Sequence, residues 1–376
     1  MNSICARSET GRIKAFDSLR GLAALGVVLW HYGAHFQAHP LAGVFTPFYR
    51  AGYLLVDFFF VLSGYVITRA YWTDSRRHRL GANVRSRIAR LYPLHFFTLL
   101  IVAILQWLLT SHGDAPFIYT FNNGYHFLLN LAMINGIGFQ EGYSFNGPAW
   151  SISTEFVVNI AFLAFIASTL LLRGVYLLSS LAICILLFVS SHSIVNGDRV
   201  LGYLDAQLVR CMLGFGTGIM LQLAHRRGWL AYSRLPSWAW DFLVLAVITA
   251  LIIFMNTRRP HASVVSYLAV IALSALVLAT VFKSKNIKKF LELRPLVFLG
   301  EISYSIYLVH FPLQLLFVVI CSYCEITLIY NDLPIMALYF LLLISLSHLT
   351  YKYIEQPGQI LLNRRRQARL KSAAAP

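Results

Sequence analysis

The chain has 376 residues, of which 58% are hydrophobic and only 12% are charged, whereas ordinary soluble domains carry about a quarter charged residues. This is too little polar surface for a soluble globule, and the same composition excludes a disordered chain, a coiled coil and a secreted disulfide scaffold. The formal net charge of +16 would suggest nucleic acid in a soluble protein. In a membrane protein it is typical of basic cytoplasmic loops.

Apolar runs long enough to cross a membrane recur along the whole chain. A spanning helix needs about 20 mainly apolar residues, and about ten such runs are present. They lie at 17–37, 52–72, 88–111, 147–171, 174–192, 202–224, 238–256, 262–282, 302–324 and 332–352. The apolar segment 126–139 is shorter and is predicted to be interfacial or re-entrant. The sequence thus predicts an all-α polytopic integral membrane protein with about ten transmembrane helices.

The basic residues predict the orientation of these helices. If the N-terminus is cytoplasmic, most Lys and Arg fall in cytoplasmic segments, including 69–90 and 283–294. This bias is expected from the positive-inside rule, and it places both the N- and C-termini in the cytoplasm and argues against nucleic acid as a partner. We therefore divide the chain into a cytoplasmic N-terminal tail at 1–13, a transmembrane domain at 14–358 and a basic cytoplasmic tail at 359–376.

The cysteines do not indicate a disulfide framework or a metal site. There are five, an odd number, and their spacing fits no extracellular pattern. Cys321 and Cys324 form a C-x-x-C pair but lie in an apolar run, so we interpret them as packing residues. No metal is predicted.

The first predicted helix carries three ionisable residues, which are costly inside a membrane and are therefore functional candidates. Arg20 and His31 are eleven residues apart, which returns to within roughly 20° of the same helix face about 16 Å further along. Asp17 lies one turn before Arg20, at a spacing that allows an ion pair. The alternative is structural: Arg20 extends to the lipid headgroups and His31 bonds a neighbouring helix.

The first predicted cytoplasmic loop is rich in arginine and ends in R-S-R-I-A-R-L-Y-P, with Arg87 and Arg90 at the start of the third helix. Such a loop is either a topology signal or a binding face for an anionic cytoplasmic ligand. Arginine suits the second interpretation, because its guanidinium group matches phosphate oxygens better than a lysine ammonium does.

Further polar residues interrupt the other predicted helices. Together they exceed what a purely structural helix bundle tolerates, and they predict a polar site inside the membrane domain. They are Asp57, Glu155, Arg210, Glu301, His310 and Glu355.

These motifs, in this order, resemble the membrane-bound acyltransferase family 3, whose members O-acylate sugars and other acceptors at the bacterial envelope. Arg20 and His31 resemble the family's Arg-(ten residues)-His signature. The other matching elements are D-F-F-F-V-L-S-G-Y, R-I-A-R-L-Y-P, A-W-S-I-S-T-E, G-E-I-S-Y-S-I-Y-L-V-H and E-Q-P. The resemblance covers roughly residues 14–358 and is closest to the stand-alone type, without a fused esterase-like domain.

The resemblance implies an acyl-CoA donor, most often acetyl-CoA, as a co-substrate rather than a permanently bound cofactor. Arg87 and Arg90, with Arg20 slightly deeper, are then expected to hold the CoA phosphates. His31 is expected to act as general base towards an acceptor hydroxyl or as an acyl relay. Glu155 is expected to orient or stabilise its imidazole, as the carboxylate of a triad does.

A supporting set of residues completes the expected site. Asp17 is expected to position Arg20, and Ser63, Trp150, Tyr304 and His310 to line the cavity. Ser63 as an acyl-serine nucleophile is disfavoured, because no base stands beside it in the sequence. The full supporting set is Asp17, Asp57, Ser63, Trp150, Tyr304 and His310.

The expected function is therefore an O-acyltransferase, in particular an O-acetyltransferase, of the bacterial plasma (inner) membrane. Its expected partners are acyl-CoA, membrane lipids and a glycan or lipid-linked sugar that accepts the acyl group. The alternatives are a transporter or flippase for an anionic lipid or metabolite and a scaffold subunit of an envelope synthase. The scaffold does not explain the shared face of Arg20 and His31.

Overall fold

A computed structural model describes residues 12–72, 79–167, 182, 199–200, 204–229, 235–257 and 264–362, and these residues are mainly helical. The helices are α1 (Lys14–Phe36), α2 (Ala42–Ala51), α3 (Leu55–Tyr71), α4 (Leu80–Ser111), α5 (Gly124–Leu131), α6 (Trp150–Ile166), α7 (Ala206–Arg226), α8 (Ser237–Thr257), α9 (Val264–Val281), α10 (Asn286–Leu291), α11 (Arg294–Glu301), α12 (Ser303–Tyr323) and α13 (Leu333–Thr350). The strands β1 (Arg199–Val200) and β2 (Leu204–Asp205) pair antiparallel.

Seven helices within the described residues are long and apolar enough to cross a membrane. They are Ala42–Tyr71, Leu80–Ser111, Gly147–Ile166, Ala206–Arg226, Ser237–Thr257, Ser303–Tyr323 and Leu333–Leu362. Each coincides with a predicted span. The structure therefore supports a multi-pass membrane protein, while the count of about ten and the position of the two termini stay predictions.

The remaining three predicted spans differ from these seven in identifiable ways. The segment 17–37 forms α1, but its polar residues, including Asp17 and Arg20, lower its hydropathy. The segment 262–282 forms α9, which is apolar but short. The segment 174–192 lies outside the described residues, as do Arg76 and Arg77 of the basic loop and most of the two predicted tails.

Close contacts at glycine fix the helices that carry the candidate site. A Cβ at Gly64 of α3 would lie 2.0 Å from the Phe215 carbonyl oxygen of α7, and a Cβ at Gly218 would lie 2.0 Å from the Val61 oxygen. Helix α1 approaches α11 in the same way at Gly21 and Gly300. Small residues let helix backbones approach closely, as is typical in membranes.

Helix α12 contains Pro312, which cannot donate a backbone hydrogen bond to the carbonyl four residues earlier. That carbonyl belongs to Leu308, and the Nδ2 of Asn146 donates to it at 3.0 Å. Tyr339 donates to the neighbouring His310 carbonyl at 3.0 Å. Side chains from other segments thus hold the middle of α12 in place.

The segment 112–149, which connects α4 to α6, folds back onto the helix bundle. The Gln106 side chain pairs with both backbone groups of Phe117, at 2.9 and 3.0 Å. The Asn122 side chain accepts from the Phe145 backbone at 2.6 Å. The connecting segment therefore covers the end of the bundle where His31 lies, with Tyr119 and Phe117 near His35.

Candidate functional site

One cavity brings together six of the predicted site residues from five helices. It contains about 820 Å³ of empty space, part of it open to solvent, and is walled by α1, α3, α4, α6 and α12. The predicted residues in its lining are Arg20, Ser63, Arg87, Arg90, Glu155 and Tyr304. Sequence spacing placed Arg20 and the Arg87–Arg90 pair on separate helices, and the structure places all three in one cavity.

Arg20 is held against the start of α12. Its Nε donates to the Ser303 hydroxyl at 2.8 Å, and its guanidinium also donates to the Gly300 carbonyl at 2.7 Å. The Asp17 carboxylate lies 3.4 Å away. The Arg20 guanidinium therefore has a fixed position in the cavity wall.

Asp17 is shared between Arg20 and a second arginine. Arg12, which precedes α1, contacts Asp17 and donates to Glu301 at 2.8 Å. Partial burial lowers the pKa of Arg12, but its hydrogen bonds to Asp17 and Glu301 outweigh burial, so the pKa is raised. The Arg12 guanidinium thus stays charged and links α1 to α11.

Arg87 and Arg90 face the cavity from successive turns of α4. The Arg87 guanidinium carbon lies 5.7 Å from the centre of the Tyr71 ring. Its Nε is buried and has no hydrogen-bond partner among the described residues. A buried donor without a partner is costly, so this nitrogen is suited to an anionic ligand.

Glu355 is a functional candidate that the predicted site omitted. It is 3% exposed, accepts from the Ser305 hydroxyl at 3.1 Å and lies within electrostatic reach of Arg90 and Arg20. The signal for it was its position in the E-Q-P motif, but spacing along the chain did not reveal its neighbours.

Glu155 accepts a hydrogen bond from Ser63 at 2.6 Å. The hydroxyl partner that the structure gives Glu155 lies on α3, and the role of Glu155 in orienting His31 stays a prediction. Ser63 thus has a carboxylate beside it, although no base stands next to it in the sequence. Only the folded structure brings α6 beside α3 and pairs the two side chains.

His31 lies in a cluster of histidines outside the lining of this cavity. Its ring centre is 4.7 Å from that of His310 and 5.0 Å from that of His35. The Nδ1 of His31 bonds to the Val27 carbonyl at 3.1 Å, and the Nδ1 of His310 to the Tyr307 carbonyl at 2.6 Å. His35, which bonds to Gln314 at 2.8 Å, was not among the predicted site residues.

The hydrogen-bond partners of His31 and His310 indicate which ring nitrogen carries the proton. A backbone carbonyl only accepts hydrogen bonds, so the Nδ1 atoms of His31 and His310 carry the protons in the neutral rings. Each Nε2 then presents a lone pair, and that of His310 is buried without a hydrogen-bond partner among the described residues. In the described part of the chain, these histidines do not form a group that holds a metal ion.

Trp150 and His310 were expected to line the cavity, and neither lines this one. Trp150 instead lies 5.8 Å from the guanidinium carbon of Arg210, and His310 lies beyond Tyr307. Tyr307 lines the cavity and its ring centre is 5.8 Å from that of His310. It was missed in the sequence, although its position three residues from both Tyr304 and His310 places it on the same face of α12.

Asp57 also lies outside the cavity lining, in a buried ion pair. Both of its carboxylate oxygens accept from Arg210, at 2.7 and 2.8 Å. Gln207 and the Tyr53 carbonyl accept further hydrogen bonds from the same guanidinium. The pair joins α3 to α7 and stabilises the wall on which Ser63 lies.

A family model described as "Acyltransferase domain" matches residues 13–356. The chain belongs to this acyltransferase family. Among similar proteins, "Putative peptidoglycan O-acetyltransferase YrhL" of Bacillus subtilis is 27% identical over 334 residues, covering 81% of this chain and 49% of the relative. "Putative O-acetyltransferase SACOL0978" of Staphylococcus aureus is 24% identical and covers 92% of this chain and 57% of the relative.

A third relative of this chain is shorter. "Protein 2 in picA locus" of Rhizobium radiobacter is 30% identical over 173 residues, covering 42% of this chain and 84% of the relative. The chain spans about half the length of the Bacillus and Staphylococcus relatives. No solved structure matches the chain.

Proposed function

We propose that this acyltransferase moves an acyl group, in particular acetyl, from cytoplasmic acyl-CoA to a hydroxyl of an envelope glycan or lipid-linked sugar. The observation that carries the proposal is the gathering of Arg20, Arg87 and Arg90 in one cavity whose far wall adjoins the His31–His310 pair. A transporter or flippase is not favoured, because the chain belongs to an acyltransferase family.

The arginine end of the cavity suits the phosphates of CoA. Guanidinium groups form charge-assisted hydrogen bonds with phosphate oxygens. The buried N–H at Nε of Arg87 finds no hydrogen-bond acceptor among the described residues. Arg90 lies close enough to Arg87 and Arg20 to repel both. A bound phosphate would relieve this repulsion, so the same residues that destabilise the empty cavity favour an anionic donor.

The length of the cavity suits the pantetheine arm. Its lining on α3 runs from Ile67 to Val56, eleven residues that correspond to about 16 Å of helix. With the phosphates at Arg87 and Arg90, the thioester lies at the opposite end, near Tyr307. Beyond that end, His310 packs against Tyr307, and His31 packs against His310.

We assign the role of general base to His31. The acceptor hydroxyl gives its proton to Nε2 of His31 as its oxygen attacks the thioester carbonyl, the C–S bond breaks, and the CoA thiolate leaves and is protonated. The hydrogen bond from Nδ1 to the Val27 carbonyl supports this role, because it leaves Nε2 free to accept. An acyl-His31 relay uses the same nitrogen as nucleophile.

Glu155 has a different place in this proposal from the one that the resemblance implied. Its carboxylate holds the Ser63 hydroxyl and lies within electrostatic reach of Arg87. It therefore positions the arginine end of the donor cavity. In this proposal the histidines carry out the proton transfer, and the carboxylate of Glu155 offsets part of the positive charge of the arginines.

The acceptor and the location are proposed from the relatives and the predicted orientation. A relative bears the name of a peptidoglycan O-acetyltransferase, and an envelope glycan or its lipid-linked precursor is the corresponding acceptor class. The bacterial plasma membrane would then separate cytoplasmic acyl-CoA from the acceptor.

The proposal is tested with purified protein in lipid nanodiscs, supplied with acetyl-CoA and an envelope glycan fraction. Thiol release and acetylation of the glycan, measured by mass spectrometry, are expected for the wild type. His31→Ala is expected to lower turnover by about 10²- to 10⁴-fold, whereas the exposed His39→Ala serves as the matched control with wild-type turnover. Wild-type turnover in folded His31→Ala protein would contradict the assignment.

A further inference from the structure

Tyr307 stands where the cavity ends. Along α12, Ser303, Tyr304 and Tyr307 line the cavity, and His310, one turn further, does not. The Tyr307 ring centre lies 6.1 Å from that of Phe59 on the opposite wall and 5.8 Å from that of His310. The same aromatic ring thus contacts the donor cavity on one side and the histidine cluster on the other.

Hydrogen bonds hold this ring in position. The Tyr307 hydroxyl lies 2.7 Å from the Ser151 hydroxyl and donates to the Pro148 carbonyl at 3.1 Å. Ser151 lies at the start of α6 and Pro148 lies in the turn just before it. Tyr307 is only 7% exposed. A buried tyrosine with a bonded hydroxyl does not rotate freely, so the ring forms a fixed wall.

The pantetheine arm leaves little room in front of this wall. The cavity extends about 16 Å along α3, which the arm occupies when the phosphates lie at Arg87 and Arg90. The acyl group then lies against the Tyr307 ring. Each further methylene in the acyl group would have to displace a ring that Ser151 and Pro148 hold in place.

We propose that Tyr307, anchored by Ser151, limits the donor to acyl groups of about acetyl size. This inference rests on the proposed function, since it concerns the acyl end of the CoA donor. Tyr307 is here a specificity-determining residue.

Binding of CoA thioethers tests the inference without a known acceptor. The probes are S-ethyl-, S-butyl- and S-hexyl-CoA, which cannot transfer an acyl group, titrated against purified protein in nanodiscs. The wild type is expected to bind S-hexyl-CoA at least about tenfold more weakly than S-ethyl-CoA, since one methylene in a fitted pocket changes discrimination by about 10- to 200-fold. Tyr307→Ala and Tyr307→Leu are expected to remove this difference.

Two further variants complete the test. Ser151→Ala keeps the Tyr307 ring and removes one of its hydrogen bonds, so a smaller loss of the preference for S-ethyl-CoA over S-hexyl-CoA is expected. This variant tests the inference if the Tyr307 variants do not fold. Tyr323→Ala, on the same helix but outside the cavity lining, is expected to retain the wild-type preference.

The outcomes separate this inference from the proposed function. If wild-type protein binds none of the thioethers, the acyl-CoA proposal itself fails. If it binds all three equally, or if folded Tyr307 and Ser151 variants keep the wild-type preference, the size limit at Tyr307 is wrong and acyl-CoA binding still stands.

Discussion

Arg210 and Arg87 are both arginines of the helix bundle, but their surroundings differ. Arg210 is 2% exposed and has the Asp57 carboxylate, Gln207 and the Tyr53 carbonyl as hydrogen-bond partners. The Tyr267 ring lies 4.2 Å from its guanidinium carbon. Arg87 instead has a buried Nε without a partner among the described residues and a like charge nearby in Arg90.

The difference separates a structural arginine from one that we propose binds a ligand. A buried charge with complete partners holds its neighbours in place, whereas one with unused donors next to a cavity is poised for an anion. Both kinds interrupt apolar helices in the sequence. Only their partners in the structure distinguish them.

The largest effect is expected at the structural pair. Asp57→Ala leaves Arg210 buried without its carboxylate, which typically costs about 3–5 kcal/mol of unfolding free energy. Thermal unfolding in detergent, with the exposed Glu141→Ala as the control, measures the loss. The double variant Asp57→Leu with Arg210→Met is expected to recover most of the stability. Wild-type stability of Asp57→Ala would mean that the pair does not hold α3 to α7.

A smaller effect, on binding rather than on folding, is expected at Arg87 and Arg90 in the cavity lining. Arg87→Ala and Arg90→Ala each remove charge-assisted hydrogen bonds, worth about 1.5–3 kcal/mol apiece. The affinity for acetyl-CoA should therefore fall by at least about tenfold per substitution, without loss of thermal stability. The exposed Arg85→Ala, in the same basic stretch, should bind as the wild type does. If all three variants lost the same affinity for acetyl-CoA, the effect would come from overall positive charge and not from specific contacts in the cavity.

The smallest effect is expected at Ser63. Ser63→Ala removes one hydrogen bond to Glu155 and should lower the free energy of unfolding by about 1 kcal/mol. Turnover should stay within about tenfold of the wild type. A tenfold change in rate corresponds to about 1.4 kcal/mol of activation free energy, which is more than one such hydrogen bond contributes. A loss of about a thousandfold with folded protein would instead assign Ser63 as the nucleophile and Glu155 as its base.

Hydropathy predicted much of the membrane architecture, because each spanning helix must satisfy its own backbone and expose apolar side chains to lipid. The seven helices that meet the length and hydropathy requirement all fall on predicted spans. The prediction is less clear for α1, because the residues that suggest function, Arg20 and His31, are the ones that lower its hydropathy.

Some of the residues that line the cavity were predictable from the sequence, but their pairings were not. Periodicity places Arg20 and His31 on one face of one helix. It carries no information on the register between helices. The bond between Ser63 and Glu155 and the pair of Asp57 with Arg210 join residues 92 and 153 positions apart. Tyr307 shares a helix face with Tyr304, but the role proposed for it depends on Ser151 and Phe59 from two other helices, which periodicity does not reveal.

The central claim is that Arg87 and Arg90 bind the phosphates of CoA. The most direct measurement compares the affinities of S-ethyl-CoA and S-ethyl-pantetheine, which lacks the phosphates, for wild-type protein and the Arg87→Ala/Arg90→Ala variant in nanodiscs. The wild type is expected to prefer the CoA compound by at least about a hundredfold, from two charge-assisted contacts. The double variant is expected to lose most of this preference. An unchanged preference in the folded double variant would contradict the claim.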